Sequence, residues 1–274
     1  MIENLKKKLK KITKLISLEQ NIRILYNETS FYIKRKYLGS FLGKTWLLLN
    51  PLIMSILYTF LMSYIFKIRI NDNSSDLDYT IYLLAGMATW ISIQESITES
   101  TTSIISNANL VKNVVFPLEI LPLSAMLSGS ISMFISYGIL IIIMFINHQY
   151  PSWTILLFPF VVFLQYFFLS GISFLLSALN VFIRDIQSFL PPVLTILMFV
   201  SPVFYVESMV PEQLKTIFKI NPVYHILTFY RNIVINGRLP NWKGLIFLIV
   251  VGFVFLYLGI FVFKRLKPYF EERL

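Results

Sequence analysis

Gly43-Lys44-Thr45 has the residue types that close a phosphate-binding loop. Such a loop cradles phosphates on the N–H groups of a Gly-rich turn. It needs glycine, four residues, then Gly-Lys-Ser/Thr. Counting back from Gly43, the required glycine falls on Leu38, and Gly39 is one residue out of register. A phosphate loop also follows a buried strand and opens a soluble helix. Here a basic, amphipathic stretch precedes the tripeptide and a long apolar run follows it, with no acidic strand to hold magnesium. The sequence therefore predicts no nucleotide site, no other cofactor and no catalytic centre in this chain.

Other reactive constellations are thin. His148 and His225 are the only histidines and fall in different segments, too few for a metal centre. No Gly-x-Ser-x-Gly nucleophile elbow occurs. Asp72, Asp76 and Asp78 cluster in "RINDNSSDLDYT", where hydrated loop charge competes with a cation site. Glu95 and Glu99 lie four apart on one helix face in "QESITESTTS". They read as the wet end of a span, or as a hydrophilic wall facing a vestibule or a partner. Mid-membrane ionisable groups of the sort that bind a coupling ion are otherwise missing.

The elements that must position these residues follow from composition. The 274 residues are 56% apolar and only 14% charged, shifted from a soluble domain in the direction of a membrane protein. Six runs approach the ~20 residues needed to cross a bilayer: 45–66, from about 79 to 93, within 120–147, within 152–183, 186–206 and 244–263. The fourth is long enough to tilt, and Pro159 and Gly171 are places where it could bend. Net charge is +10, and the basic residues crowd beside apolar runs, which favours a membrane surface over nucleic acid. With the N-terminus inside, 17 of the 24 lysines and arginines fall on the inner side and 7 on the outer. The positive-inside rule then puts both termini in the cytoplasm. No short apolar stretch with a small-residue cleavage site precedes the first run, so no cleaved signal peptide is expected. There is no cysteine to pair.

The expected fold is thus an all-α integral membrane protein with six transmembrane helices. Residues 1–44 form a cytoplasmic interface region and 45–274 the transmembrane domain. "LKKKLKK" at 5–11 is a solvated or headgroup-facing basic run. Leu15, Leu18, Ile22 and Leu25 then recur at helical spacing, marking an amphipathic helix for the membrane surface or a partner. Two segments outside the spans also carry structure. Residues 106–122, on the inner side, are too polar for lipid, and Pro117 and Pro122 limit any helix there. On the outer side, Pro211 can start a short helix. Asn221 can cap a second with Pro222 at its first position, running to about Ile235 and stopped by Asn236-Gly237. This pair is too apolar for a free loop and is expected to re-enter the outer half of the membrane. Tyr58, Tyr82, Trp90, Tyr205, Tyr224 and Tyr230 are aromatics that could belong to the interfacial belt or stack on sugar rings.

Several stretches in order resemble the ABC-2-type permeases of polysaccharide export, the membrane subunits of O-antigen, capsule and teichoic acid exporters. They are "RKYLGSFLGKTWLLLNP" (35–51), "NANLVKNVVFPLEILPLS" (107–124), "NVFIRDIQ" (180–187), "SPVFY" (201–205) and "NPVYHILTFYRNIV" (221–234). The resemblance implies a type V exporter fold in the bacterial inner membrane. It implies a homodimer of this chain on two copies of a cytoplasmic ATP-binding cassette ATPase, which would hold the ATP and magnesium, and a lipid-linked polysaccharide as cargo. A coupling helix at about 106–117 would bring Asn109, Leu110, Lys112, Phe116 and Pro117 to the ATPase, with Arg184 and Asp185 beside it. Arg35, Tyr37, Gly39, Gly43 and Trp46 would join the interface helix to span one, with Gly39 and Gly43 as a Gly-x-x-x-Gly face. The outer helices at about 211–235, with Arg231 and the aromatics above, would line or gate the channel. A permease for drugs or simple lipids is the nearest alternative, and a membrane glycosyl- or acyltransferase a distant one.

Overall fold

The computed structural model describes residues 2–36, 41–65, 76–113, 116–206 and 209–274, and among them every regular element is helical. Helix α1 (Ile2–Lys36) takes in both the basic run and the amphipathic stretch as one helix. A 3-10 turn at Gly43–Thr45 leads to α2 (Trp46–Thr59), which continues as a π-helical segment, Phe60–Ile65. Next come α3 (Asp76–Thr102), the short α4 (Ala108–Asn113), and α5 (Ile120–Ser128) with α6 (Ser130–Ile146) almost continuous with it. Helices α7 (Phe158–Phe182) and α8 (Asp185–Phe199) follow, then the short pair α9 (Glu212–Ile220) and α10 (Pro222–Arg231). The chain closes with α11 (Trp242–Leu266) and α12 (Phe270–Arg273).

Among the described residues, three stretches are long and apolar enough to cross a bilayer, Ile120–Ile146, Trp153–Phe182 and Trp242–Arg273. They fall on the third, fourth and sixth runs, so the chain is a multi-pass membrane protein. The fifth run departs from expectation. Its helix stops at Phe199 after 15 residues, roughly 22 Å, and residues 200–206 continue without regular helix although most of them are buried. Apolar composition alone does not distinguish such a segment from a last turn of helix.

The caps behave as their chemistry dictates. The Asn221 side chain accepts a hydrogen bond from the Val223 N–H, Pro222 occupies the first turn where its missing donor costs nothing, and α10 runs on into a π-helical turn, Asn232–Asn236. Gly237 then ends it at φ 62°, a left-handed conformation suited to glycine. Pro211 precedes α9. Helix α7 continues through Gly171, which is where α11 crosses. A Cβ there would overlap the backbone of Phe255 and Leu256, and a Cβ on Gly259 would overlap the Gly171 carbonyl. The two helices touch backbone to backbone, as small residues permit.

Helix α3 is the axis of the bundle, with α2, α5, α6, α7, α8 and α10 packed around it. It is too polar to register as a span by hydropathy, yet most of its residues from Tyr79 to Thr101 are buried. Its buried hydroxyls are satisfied within the bundle. Thr89 and Tyr137 share a hydrogen bond of 2.8 Å, as do Ser92 and Tyr166, and Ser96 donates to the Met126 carbonyl. Gly129, between α5 and α6, lies against Ser92 and Ser96 with no room for a side chain.

Replacing Gly171 with Ala is expected to lower the unfolding midpoint in detergent, at a cost of about 1–3 kcal/mol from overpacking. Gly138→Ala, where a Cβ meets open space, should leave the midpoint unchanged or raise it. Equal effects in a thermal unfolding assay would show that the crossing is not backbone-limited.

Candidate functional site

Polar residues from the second half of α3 line a cavity. It has a volume of about 440 Å³ and lies between α2, α3, α8 and the end of α1. Asn50 and Tyr58 line it from α2, and Trp90, Gln94, Glu95 and Glu99 from α3. Trp90 is 2% exposed, and its indole N–H finds no partner among the described residues. The Tyr58 ring packs on Phe204 at 4.8 Å between centroids. An aromatic face, an unspent N–H donor, amides and a carboxylate are the groups that bind a polyhydroxylated ring, whose faces are apolar and whose edges are not.

Glu95 closes one side of the cavity. Its carboxylate takes Lys36 Nζ at 2.5 Å and the Ser132 hydroxyl at 2.9 Å, tying α1, α3 and α6 together. A second tie lies nearby. The Asn107 amide donates to the Tyr32 hydroxyl at 2.7 Å, and burial pushes the Tyr32 pKa up to about 12, so that the phenol stays neutral. Arg35 lines a smaller cleft of about 280 Å³ beside these contacts, with Glu99 on its other wall. Residues Tyr37, Gly39 and Asp72 lie outside the described residues. Gly43 has φ 50° and open space where a Cβ would stand, so within this chain its backbone conformation, not a close neighbour, calls for glycine. Trp46 opens α2 partly exposed.

At the same end of the bundle, α4 presents Asn109, Lys112 and Asn113 outward while Val111 is buried. Leu110, Phe116 and Pro117 are half-buried. Val111 joins Ile104, Leu118, Val181 and Phe270 in an apolar cluster. That cluster brings the end of α7, and hence the exposed Arg184 and Asp185, to the end of the bundle where α4 lies.

The opposite end is built on Arg231, which is 4% exposed. Its guanidinium donates to the Tyr82 hydroxyl at 2.9 Å, the Pro202 carbonyl at 2.5 Å and the Val203 carbonyl at 2.8 Å, and lies 3.6 Å above the Tyr82 ring. The neighbouring carbonyls are held in the same way. The Tyr79 hydroxyl donates to Phe204, that of Tyr82 to Tyr205, and that of Tyr205 to Phe199. The side chains expected to contact cargo therefore divide. Tyr58 and Trp90 meet in one cavity. Tyr82, Tyr205 and Arg231 brace residues 199–205. Tyr230 is fully buried against Tyr137 and Phe158. Tyr224, also buried, lines a separate cleft with His225 and Lys243. Gly86 was not singled out from the sequence, yet a Cβ there would collide with the Arg231 guanidinium and the Val203 carbonyl. A glycine within an apolar helical run was the available signal. Asp78, from the acidic cluster, accepts from Asn147 and Gln149 and so links α3 to the end of α6.

A multi-pass helical bundle with a polar cavity against its axial helix, and with short amphipathic elements at both ends, has the architecture of a membrane permease. Residues 28–235 match the ABC-2 type transporter family, and the chain belongs to that family. The match runs from within α1 to the π-helical turn after α10 and so takes in the cavity, α4 and the Arg231 brace. Two proteins described as O-antigen export system permease protein RfbA from Klebsiella pneumoniae are 28% and 29% identical to it over 244 residues, covering 88% of this chain and 90% of theirs. RfbA of Myxococcus xanthus is 28% identical over 242 residues, covering 88% of this chain and 91% of its own.

Arg231→Met should destabilise the chain by on the order of 3 kcal/mol, because it strips buried carbonyls of a charged donor. Arg231→Lys should recover only part of that, since an ammonium cannot reach the same acceptors in one plane. Thermal unfolding of the purified variants tests both, and a wild-type midpoint in Arg231→Met would remove the brace.

Proposed function

We propose that this chain is the membrane-spanning permease of an ATP-binding cassette exporter that carries a lipid-linked, O-antigen-like polysaccharide across the bacterial inner membrane. The match of residues 28–235 to the ABC-2 type transporter family, together with relatives described as O-antigen export permeases, carries this reading. In it, two copies of the chain enclose the pathway and two cytoplasmic ATPase subunits, which hold ATP and magnesium, sit beneath them. Both termini are cytoplasmic. The six spans are α2 with its π-helical extension, α3, α5–α6, α7, α8 and α11.

The segregation of elements supports the mechanism. The exposed face of α4 and the Arg184–Asp185 corner lie at one end, where an ATPase groove would receive Asn109, Leu110, Lys112, Phe116 and Pro117. The ties from Lys36 to Glu95 and from Tyr32 to Asn107 make α1 part of the same lever, joined to span one through the sequence between Arg35 and Trp46, with Tyr37, Gly39 and Gly43. ATP-driven closure of the ATPase pair would shift α4 and α1 together and open the pathway along α3. The cavity with Tyr58, Trp90, Gln94 and Glu99 would take sugar rings. At the other end α9 and α10 form the re-entrant pair, with Tyr82, Tyr205, Tyr224, Tyr230 and Arg231 shaping the exit.

The chain should co-purify with an ATPase subunit, and Phe116→Asp with Pro117→Ala should abolish that pairing. Cells lacking the chain should accumulate completed glycan inside. Trp90→Ala should cut export at least severalfold while ATPase pairing persists. Lys44→Ala should leave the ATPase rate of the complex intact. Unchanged glycan distribution in the deletion, alongside loss of a drug or simple-lipid export activity, would move the cargo to the nearest alternative. Glycosyl or acyl transfer by the purified chain alone would replace the reading altogether.

A further inference from the structure

The bundle end that carries α4 also holds a cleft of about 610 Å³ between α4 and the end of α11. Lys112 and Phe116 form one wall, and Lys264, Lys267, Pro268 and Glu271 the other. The cleft exists because the chain turns back after α11. The 3-10 turn Lys267–Tyr269 swings α12 under the bundle, where Phe270 is fully buried against Phe263 and near Phe182. Lys267 is spent on Glu119, with Nζ 2.8 and 3.0 Å from its two carboxylate oxygens. Lys112 and Lys264 form no ion pair among the described residues. Against them stands one carboxylate that is not spent, that of Glu271, so the cleft keeps an excess of positive charge.

Lys264 also stands at the foot of a second hollow. This one, about 410 Å³, runs along α11 and is lined by Phe253, Leu256, Tyr257, Ile260 and Phe261, with Lys264 as its single charged residue. Phe253, Tyr257 and Phe261 are all exposed at i, i+4 and i+8, one stripe of the helix, and the rings of Tyr257 and Phe261 stack at 15°. The stripe belongs to a span that turns most of its surface away from the rest of the chain.

A basic cleft at a span's end and an apolar groove along the same span, with one lysine lining both, fit a molecule with a negative head and a long apolar tail. We propose that this paired hollow binds an anionic glycerophospholipid of the bilayer, its phosphodiester between Lys112 and Lys264 and an acyl chain along Phe253, Tyr257 and Phe261. Basic pockets beside span ends on the cytoplasmic face recognise such headgroups, and the cytoplasmic placement rests on the orientation argued under Proposed function. A free phosphate would use the cleft and ignore the groove. An ATPase contact would use α4 and likewise leave the groove unused. Because Lys112 projects from α4, a lipid held here touches the segment that would receive the ATPase, and lipid composition would bear on coupling.

The test is native mass spectrometry of the full chain in detergent, titrated with phosphatidylglycerol or with phosphatidylcholine of the same acyl chains. Phosphatidylglycerol should be retained in preference. Lys112→Gln and Lys264→Gln should each lower its retention about fivefold, the effect of one lysine near an anionic headgroup, while Lys264→Arg retains it. Tyr257→Ala with Phe261→Ala should also lower it. Equal retention of the two lipids, or wild-type retention in both Gln variants, overturns the proposal. Displacement by inorganic phosphate with no effect of the aromatic substitutions does so too, and assigns a free-anion site. The measurement needs neither ATPase nor glycan, so its failure leaves the export reading standing, and failure of export leaves this one.

Discussion

A carbonyl or hydroxyl at membrane depth has no water to turn to, and an unpaired one costs several kcal/mol. The same cost applies inside a packed bundle, and residues 199–205 meet it with side chains in place of helix. Five of their carbonyls, those of Phe199, Pro202, Val203, Phe204 and Tyr205, are taken by Tyr205, Arg231, Tyr79 and Tyr82. Three of those four donors come from elsewhere in the sequence. The irregular segment can therefore exist only where α3 and α10 flank it, and α3 can hold its place only with Gly86 leaving room for the guanidinium. Helix α8 can stop short for the same reason, since carbonyls at 202–205 in the chain that leaves it are taken by side chains.

The same constraint explains the division of labour among the helices. Helix α3 holds the bundle together through its buried hydroxyls, paired with its own backbone or with a neighbour such as Tyr137, Tyr166 or the Met126 carbonyl. Helices α7 and α11 have little to exchange in hydrogen bonds and instead approach until backbones touch at Gly171 and Gly259. A polar axis and an apolar flank are two solutions to packing in a solvent as apolar as the side chains themselves. The axis lines the cavity with polar groups that its packing leaves over.

Much of this was legible in the residues. The long apolar runs at 120–147, 152–183 and 244–263 are helices, since hydropathy reports directly on what a bilayer selects. Asn221-Pro222 and Gly237 bounded their helix because capping is local chemistry. Glu95 drew attention by its charge, although its partners Lys36 and Ser132 lie far off in sequence. What escaped depended on tertiary context. Gly171 is where α11 crosses, a role set by a helix far off in sequence. Residues 200–206 read as the last turns of a span because their composition is apolar, and only the donors on α3 and α10 explain their shape. Trp90 and Tyr58 were named among several aromatics with equal claims. Folding separated them, placing these two in one cavity and spending Tyr82 and Tyr205 on the backbone.

Arg231 has a mechanical consequence. One guanidinium grips α10, the segment at 202–203 and the Tyr82 side chain at once, so these three parts cannot slide past one another without breaking several short bonds together. They form a single keystone. Compliance at that end of the molecule must reside where the backbone already departs from the α-helix, at the wide turns Phe60–Ile65 and Asn232–Asn236 and at Gly237. Any widening there would be a swing of the whole block on those joints, with its interior unchanged.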